Sequence, residues 1–143
     1  MILPDVNVLL YAHRLGAPEH ERYRAWLQDV LDSRLPFAVS ELVLSAVVRI
    51  ATNPRVYRPP DAVDDALAFV DALRAHPRAI VLRPGAAHWR HFADLCRAAN
   101  ASGKLVADAY HAALAIEHGC TWVTTDRDFA RFPGLRWRHP LDG

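Results

Sequence analysis

The 143 residues favour a single domain, and 52% hydrophobic with 23% charged residues is the balance of an ordinary globular protein. This composition excludes a disordered chain, and no apolar run approaches the ~18 residues of a membrane span, so we expect a cytoplasmic protein without membrane contact. A net charge of +1 does not by itself indicate a nucleic-acid-binding protein. The two cysteines, Cys96 and Cys120, lack zinc-ligand spacing and are expected to be small buried residues in a reducing compartment.

Strands and helices alternate along the first half of the chain. Residues 1–3 predict a short buried strand, and residues 18–33 predict a helix with an apolar face. A second strand over 36–39 is followed by a helix over 41–51, for which Ser40 is the expected N-cap. Asp61 is the expected cap of a helix that ends near residue 74, with Leu67 on its buried side.

The same alternation continues to the end of the chain. The second half predicts a strand over 79–82, helices over 86–99 and about 107–118, a strand over 121–124 and an edge strand over 135–137. No repeat or linker divides the sequence, which predicts one domain over 1–143. Strands that alternate with helices predict an α/β fold with a mostly parallel sheet.

Four acidic residues fall where strands end or helices begin. Asp5 follows the first strand, Glu41 opens the helix after the second strand, and Asp126 follows the fourth strand. Asp108 lies near the start of its helix. In an open parallel sheet the ligand crevice lies outside the carboxyl ends of the strands, so we expect the four carboxylates to converge there.

Crowded carboxylates raise one another's pKa, and a hard divalent cation relieves the repulsion. Oxygen ligands without thiolates favour Mg²⁺, with Mn²⁺ as a substitute. We expect Asp5, Asp108 and Asp126 to be the metal ligands, with Glu41 completing the site or orienting a water molecule. Each acid also has a structural interpretation. Asp5 could be a helix cap, Glu41 a helix-dipole residue, Asp108 part of a solvated helix face and Asp126 a turn former.

Other common catalytic motifs are absent from the sequence. There is no GxGxxG fingerprint, P-loop or GxSxG elbow, and the segment Asp5–Asn7 is one acid short of a haloacid-dehalogenase motif. His88 and His91 have no third metal ligand at a useful spacing. His111 follows Asp108 on the same predicted helix, where packing is the simpler interpretation and substrate contact the alternative.

Four segments in order resemble the PIN-domain ribonucleases, specifically the VapC toxins of bacterial toxin–antitoxin pairs. They are PDVNVLLYA at 4–12, Ser40-Glu41 with RIATNP at 49–54, LVADAYHAALA at 105–115 and TTDRDF at 124–129. The resemblance extends to FPGL at 132–135 and so covers essentially the whole chain. It implies a PIN-like α/β/α sandwich whose acidic quartet, carried over by position, is Asp5, Glu41, Asp108 and Asp126.

The resemblance also implies roles for neighbouring residues. Asn7 would orient Asp5 or a bound water, Thr125 would bond an acid or a phosphate, and Asp128 would support Asp126. The alternatives are an ordinary turn residue for Asn7, a β-former for Thr125 and a turn former for Asp128.

By the same resemblance, the chain would be a Mg²⁺-dependent endoribonuclease that cleaves tRNA or rRNA and forms a homodimer. The partner would be a VapB-like antitoxin. Because the acidic quartet attracts guanidinium groups as well as metal ions, we expect the antitoxin's C-terminal segment to cover the site and to place an arginine against Asp5, Asp108 or Asp126. Apolar side chains of the antitoxin would pack on the helices near Leu9, Val43 and Val47. The alternatives are a PIN-type nuclease of RNA processing or DNA metabolism, and a non-catalytic scaffold that binds nucleic acid and protein.

Overall fold

Five short parallel strands form the central layer of the protein in the computed structural model, which describes residues 1–142. Gly143, the last residue of the predicted domain, lies outside the described residues. The strands are β1 (Ile2–Pro4), β2 (Phe37–Ser40), β3 (Ala79–Leu82), β4 (Thr121–Val123) and β5 (Trp137–Arg138). β1 pairs with β4, β4 with β5, and β2 with β3, all in parallel. The hydrogen bonds define two parallel sheets, ordered β1-β4-β5 and β2-β3, and β1 packs beside β2, so the predicted mostly parallel arrangement is confirmed.

The helices pack in two groups. They are α1 (Val6–His13), α2 (His20–Asp32), α3 (Glu41–Ala51), α4 (Val63–Arg74), α5 (His88–Ala98) and α6 (Lys104–Glu117). α1 packs against α2 and α3, and α3 against α4, while α5 packs against α6. A 3₁₀ turn over Arg127–Arg131 follows β4. Within residues 1–142, no helix combines the length and apolar character needed to cross a bilayer.

α6 begins three residues earlier than the sequence pattern predicts. Gly103 precedes the helix with a φ of +56°, a conformation that costs glycine little, and the chain turns into the helix at Lys104. The apolar residues of this first turn, Leu105 and Val106, are adjacent in the sequence and do not by themselves show helical spacing. As a result, Asp108 lies one turn inside α6, on the same face as Lys104.

Two predictions about α4 are wrong. Ala62, rather than Asp61, is the residue at the N-cap position, and the side chain of Leu67 is 40% exposed instead of buried. Asp61 has other partners: its carboxylate accepts a hydrogen bond from the ring of His13 at 2.6 Å and pairs with the guanidinium of Arg14. The Asp61 side chain therefore ties the end of α1 to the start of α4 rather than capping a helix.

Removal of the Asp61 charge should destabilise the protein. The side chain of Arg14 is only 15% exposed, so in Asp61→Asn a largely buried guanidinium loses its carboxylate, at a cost of roughly 2–4 kcal/mol. Burial acts to raise the pKa of Asp61, but His13 and Arg14 hold it below its ordinary value. This stabilisation is therefore present above the unfolded-state pKa of an aspartate and is lost as the pH falls through the lower folded-state pKa.

Urea unfolding at neutral pH, and again in acid, measures this effect. Asp71→Asn is the matched control, since it removes an exposed carboxylate from α4 and should change the free energy of unfolding by no more than about 0.5 kcal/mol. Equal stability of Asp61→Asn and Asp71→Asn at neutral pH would contradict the role assigned to Asp61.

Candidate active site

Asp5 lies at the point where the strand order reverses. β1 and β4 are neighbours in the sheet although the chain leaves β1 toward β2, and such a switch point is where open α/β sheets form their ligand crevice. Asp5 directly follows β1 and is the N-cap of α1: its Oδ1 accepts a hydrogen bond from the N–H of Val6 at 2.6 Å. The side chain thus starts a helix and faces the crevice from a fixed backbone position.

Thr124 joins the ends of β1 and β4. Its hydroxyl donates to Oδ2 of Asp5 at 2.7 Å and accepts from the N–H of Asp126 at 3.0 Å, and the residue is fully buried. One hydroxyl therefore fixes the orientation of one carboxylate and the backbone position of another. The sequence prediction assigned a bond of this kind to Thr125, which is only partly buried; the structure gives it to Thr124.

Lys104 brings Asp108 and Asp126 together. Its Nζ lies 3.0 Å from Oδ2 of Asp108 and 3.0 Å from Oδ2 of Asp126. Asp108 is buried on α6, whereas Asp126 follows β4 and caps the 3₁₀ turn by accepting from the N–H of Asp128 at 2.9 Å. Two carboxylates from separate elements thus point at one cation.

Burial and mutual repulsion shift the pKa values of these carboxylates. Burial raises the pKa of Asp5 to about 6, although the bonds from Thr124 and Val6 oppose this rise and the charges of Asp108 and Asp126 add to it. Burial also raises the pKa of Asp108, which Lys104 partly offsets. The charges of Asp108 and Asp126 thus lie close enough to Asp5 to raise its pKa.

Asp126 and Lys104 gain from the same contacts. Burial acts to raise the pKa of Asp126, but the N–H of Asp128 and the ammonium of Lys104 hold it below its ordinary value. Partial burial acts to lower the pKa of Lys104, and its bonds to the two aspartates raise it well above its ordinary value. Lys104 is therefore a stable cation at neutral pH.

Glu41 has a different set of partners. It opens α3, and its exposed carboxylate accepts from Nε of Arg74 at 3.0 Å and from the guanidinium of Arg83 at 3.3 Å. It lines the same groove as Val106 and His111 of α6, so it lies at the predicted edge. The structure thus brings three of the four predicted acids together and holds the fourth in an arginine cluster.

The remaining predicted residues lie around these acids. Asn7 is exposed on α1, and Asp128 is exposed and acts on Asp126 through its backbone N–H. His111 stacks on Trp122 with the ring centroids 5.4 Å apart, and burial, reinforced by the charge of Lys104, lowers its pKa to about 4. This ring is consequently neutral at pH 7 and forms part of the groove wall.

The chain is similar to known proteins over nearly its whole length. The family model of the PIN domain matches residues 2–135. The chain is 47% identical over 143 residues to the VapC ribonuclease Mb2897 of Mycobacterium bovis, covering 100% of the chain and 97% of that protein. It is 44% identical over 140 residues to the ribonuclease VapC25 of Mycobacterium tuberculosis, covering 98% of the chain and 99% of that protein.

The chain belongs to the PIN-domain family, among the VapC ribonucleases. Solved structures share the fold at low sequence identity. The PIN domain superposes on a chain of VapBC2 from Rickettsia felis, solved with a promoter DNA fragment, with a TM-score of 0.69 at 19% identity over 97% of this chain and 98% of that chain. For VapBC-1 of nontypeable Haemophilus influenzae the TM-score is 0.68 at 16% identity over 98% of both chains. The predicted PIN-like α/β/α fold is confirmed.

The divalent cation implied by the PIN family fits this donor set. Asp5, Asp108 and Asp126 offer only hard oxygen donors, and two of them already converge on a cation, the Lys104 ammonium. Each oxygen of Asp5 keeps a free lone pair besides the bond that it accepts. Within residues 1–142, however, no three acidic, histidine or cysteine side chains are already arranged as a metal cage. Binding therefore requires the carboxylates to rearrange around the ion.

The charge on Asp5 should destabilise the protein in the absence of a cation. Since its pKa rises from 3.8 in the unfolded chain to about 6, the cost grows as the pH rises between these values and is complete above pH 6. Asp5→Asn keeps a helix-capping side chain and should stabilise the protein by about 1–3 kcal/mol at pH 7.5 in EDTA, with little gain at pH 4.

Urea unfolding of wild type and Asp5→Asn at the two pH values measures this difference. A variant that is no more stable than wild type at pH 7.5 would show that Asp5 carries no electrostatic cost in the folded protein.

Proposed function

We propose that this PIN domain is a Mg²⁺-dependent endoribonuclease, with Mn²⁺ as a substitute, and the toxin of a type II toxin–antitoxin pair. The observation that carries the proposal is the convergence of Asp5, Asp108 and Asp126 at the β1–β4 switch point, in a chain whose relatives are ribonucleases. The presence of all four acids in the sequence favours an enzyme over a binding scaffold.

Each acid has a distinct part in this proposal. Asp5, Asp108 and Asp126 would hold the ion, which when bound lowers the pKa of a water molecule and stabilises charge on the phosphate. Thr124 keeps Oδ2 of Asp5 oriented through its 2.7 Å bond. Glu41, at the rim, would complete the site or orient the water after leaving its arginine partners. His111 has too low a pKa to hold a proton at pH 7 and serves as a wall of the site.

A groove lined by Glu41 and by the neighbours of Asp108 on α6 suits an RNA strand. It has a volume of about 810 Å³ between α3 and α6, and its lining includes Arg49 and Arg83 as well as the ring of Tyr110. Guanidinium groups bind phosphates in bidentate fashion, and unpaired bases stack on aromatic rings. We propose a structured RNA, tRNA or rRNA, cut at a loop that enters this groove.

Cleavage should require a divalent cation and the carboxylate of Asp108. We expect EDTA, or the substitution Asp108→Asn, to reduce cleavage of a tRNA mixture at least a hundredfold, because the site loses the ion or one of its ligands. Added Mg²⁺ or Mn²⁺ should restore the wild-type protein only.

Gel analysis of end-labelled RNA measures this cleavage. Asp29→Asn, on the exposed side of α2, is the control and should cut like wild type. Undiminished cleavage by Asp108→Asn, or cleavage that persists in EDTA, would rule out the proposed chemistry.

The proposed partner is a VapB-like antitoxin whose C-terminal segment covers the acidic site. Lys104 demonstrates that a side-chain cation fits between Asp108 and Asp126, and an antitoxin arginine would pair with the same carboxylates. The antitoxin is predicted to pack on the helices near Leu9, Val43 and Val47, and these three side chains are themselves buried in the core. The accessible apolar side chains of the groove include Leu42, which is 50% exposed, and the partly buried Phe92.

An antitoxin whose arginine is replaced by alanine should inhibit cleavage at least tenfold less well, since the acidic site loses its bidentate partner. Leu42→Asp in the toxin should weaken binding of the antitoxin, because it removes an apolar contact in the groove, but the antitoxin arginine should still reach the carboxylates. Inhibition assays with the cognate antitoxin measure both effects. Equal inhibition by the arginine-free antitoxin would contradict this mode of binding.

We further propose a homodimer in the cytoplasm, where RNA and antitoxin both occur. The helix α4 presents Val63 and Leu67, 55% and 40% exposed, as apolar surface for a second copy. α2, by contrast, buries its main apolar residues, Tyr23 and Leu27. Light scattering at micromolar concentration distinguishes a dimer from a monomer.

A further inference from the structure

Lys104 is the sole lysine of the chain, in which the other 16 basic residues are arginines. It is the first residue of α6, and its side chain is 74% exposed. Its Nζ nevertheless contacts two acids of the candidate site, one on its own helix and one beyond β4. The ammonium therefore lies where its positive charge offsets the repulsion between the two carboxylates.

Lys104 and a metal ion would compete for the same carboxylate oxygens. Both contacts use Oδ2, of Asp108 and of Asp126, at 3.0 Å. Mg²⁺ binds carboxylate oxygens at about 2.0–2.1 Å, so an ion held by these two residues would lie within a few ångströms of the ammonium. Two cations at such a separation repel each other, and one of them must leave.

We propose that Lys104 is a built-in counter-ion that a divalent cation displaces, and that it sets the cation concentration at which the site loads. This inference rests on the proposed function, since it takes Asp108 and Asp126 as metal ligands. In the metal-free protein, the Lys104 ammonium lowers the repulsion between the carboxylates of Asp108 and Asp126. When the metal ion binds to these carboxylates, the Lys104 side chain is released into solvent.

The chemistry of lysine suits an exchangeable counter-ion. Its ammonium is compact and strongly hydrated, on a flexible stem, whereas a guanidinium would bind the two carboxylates in a planar, bidentate fashion. With most of the side chain in solvent, its release into water costs little. Arginine at this position should therefore be displaced less readily than lysine.

Mn²⁺ binding to the RNA-free, metal-stripped protein tests the inference without reference to activity. Electron paramagnetic resonance of free Mn²⁺ would be recorded for wild type, Lys104→Met, Lys104→Gln and Lys104→Arg. We expect the two neutral variants to bind Mn²⁺ about tenfold more tightly than wild type, as removal of a nearby unit charge predicts. Lys104→Arg should bind as wild type does, or more weakly.

Arg22→Met is the matched control for the loss of one positive charge. Arg22 lies on α2, where it pairs with the exposed Glu19, and its substitution should change Mn²⁺ affinity by less than about twofold. Circular dichroism verifies that each variant is folded, and the glutamine variant replaces the methionine variant if the latter fails this check.

Three outcomes are decisive. Tighter binding by the neutral variants, including binding that wild type lacks, supports the inference. Equal or weaker binding by folded neutral variants, with wild type binding Mn²⁺, overturns the role of Lys104 and leaves the proposed nuclease intact. If no protein in the series binds Mn²⁺, the metal dependence proposed above fails, and the role of Lys104 fails with it.

Discussion

Three negatively charged side chains lie close together at the edge where β1 and β4 end, and the contacts at this end of the molecule reduce the repulsion between them. Asp5, Asp108 and Asp126 meet there, and burial raises the pKa of Asp5 to about 6 because its charge is poorly solvated. The protein offsets the repulsion with local partners: the Lys104 ammonium for two acids and the Thr124 hydroxyl for the third. These partners reduce the electrostatic cost of the site without removing its excess negative charge.

The fold supplies these positions through short, separate elements. Asp5 can stay in place because it is also the N-cap of α1, and Asp126 because it caps the 3₁₀ turn after β4. Asp5 and Asp126 thus contribute to local structure as well as to the site, so that replacing either one changes both. Glu41 differs from them, since its carboxylate is exposed and bonds to Arg74 and Arg83. It is the acid that can move at least structural cost.

The parallel fold and the placement of three acids were predictable from the sequence, because strand ends and helix starts leave local signals. The partners of the acids were not. Thr124 and Thr125 are identical in type, and only the packing of β4 beside β1 decides which hydroxyl reaches Asp5. The bonds from Arg74 and Arg83 to Glu41 span more than thirty residues along the chain. Lys104 is visible in the sequence as a lone lysine four residues before Asp108. The sequence pattern does not show that α6 begins directly after Gly103, so it does not place the two residues on one helix face.

We propose that the buried negative charge at the β1–β4 edge binds a divalent cation. Carboxyl ¹³C NMR of Asp5 as a function of pH tests this proposal, because the chemical shift reports the protonation of that side chain alone. We predict a pKa near 6 in the metal-free protein and a marked fall when Mg²⁺ is added, since the ion favours the ionised form. A pKa near the ordinary value of 3.8 that Mg²⁺ leaves unchanged would contradict the account.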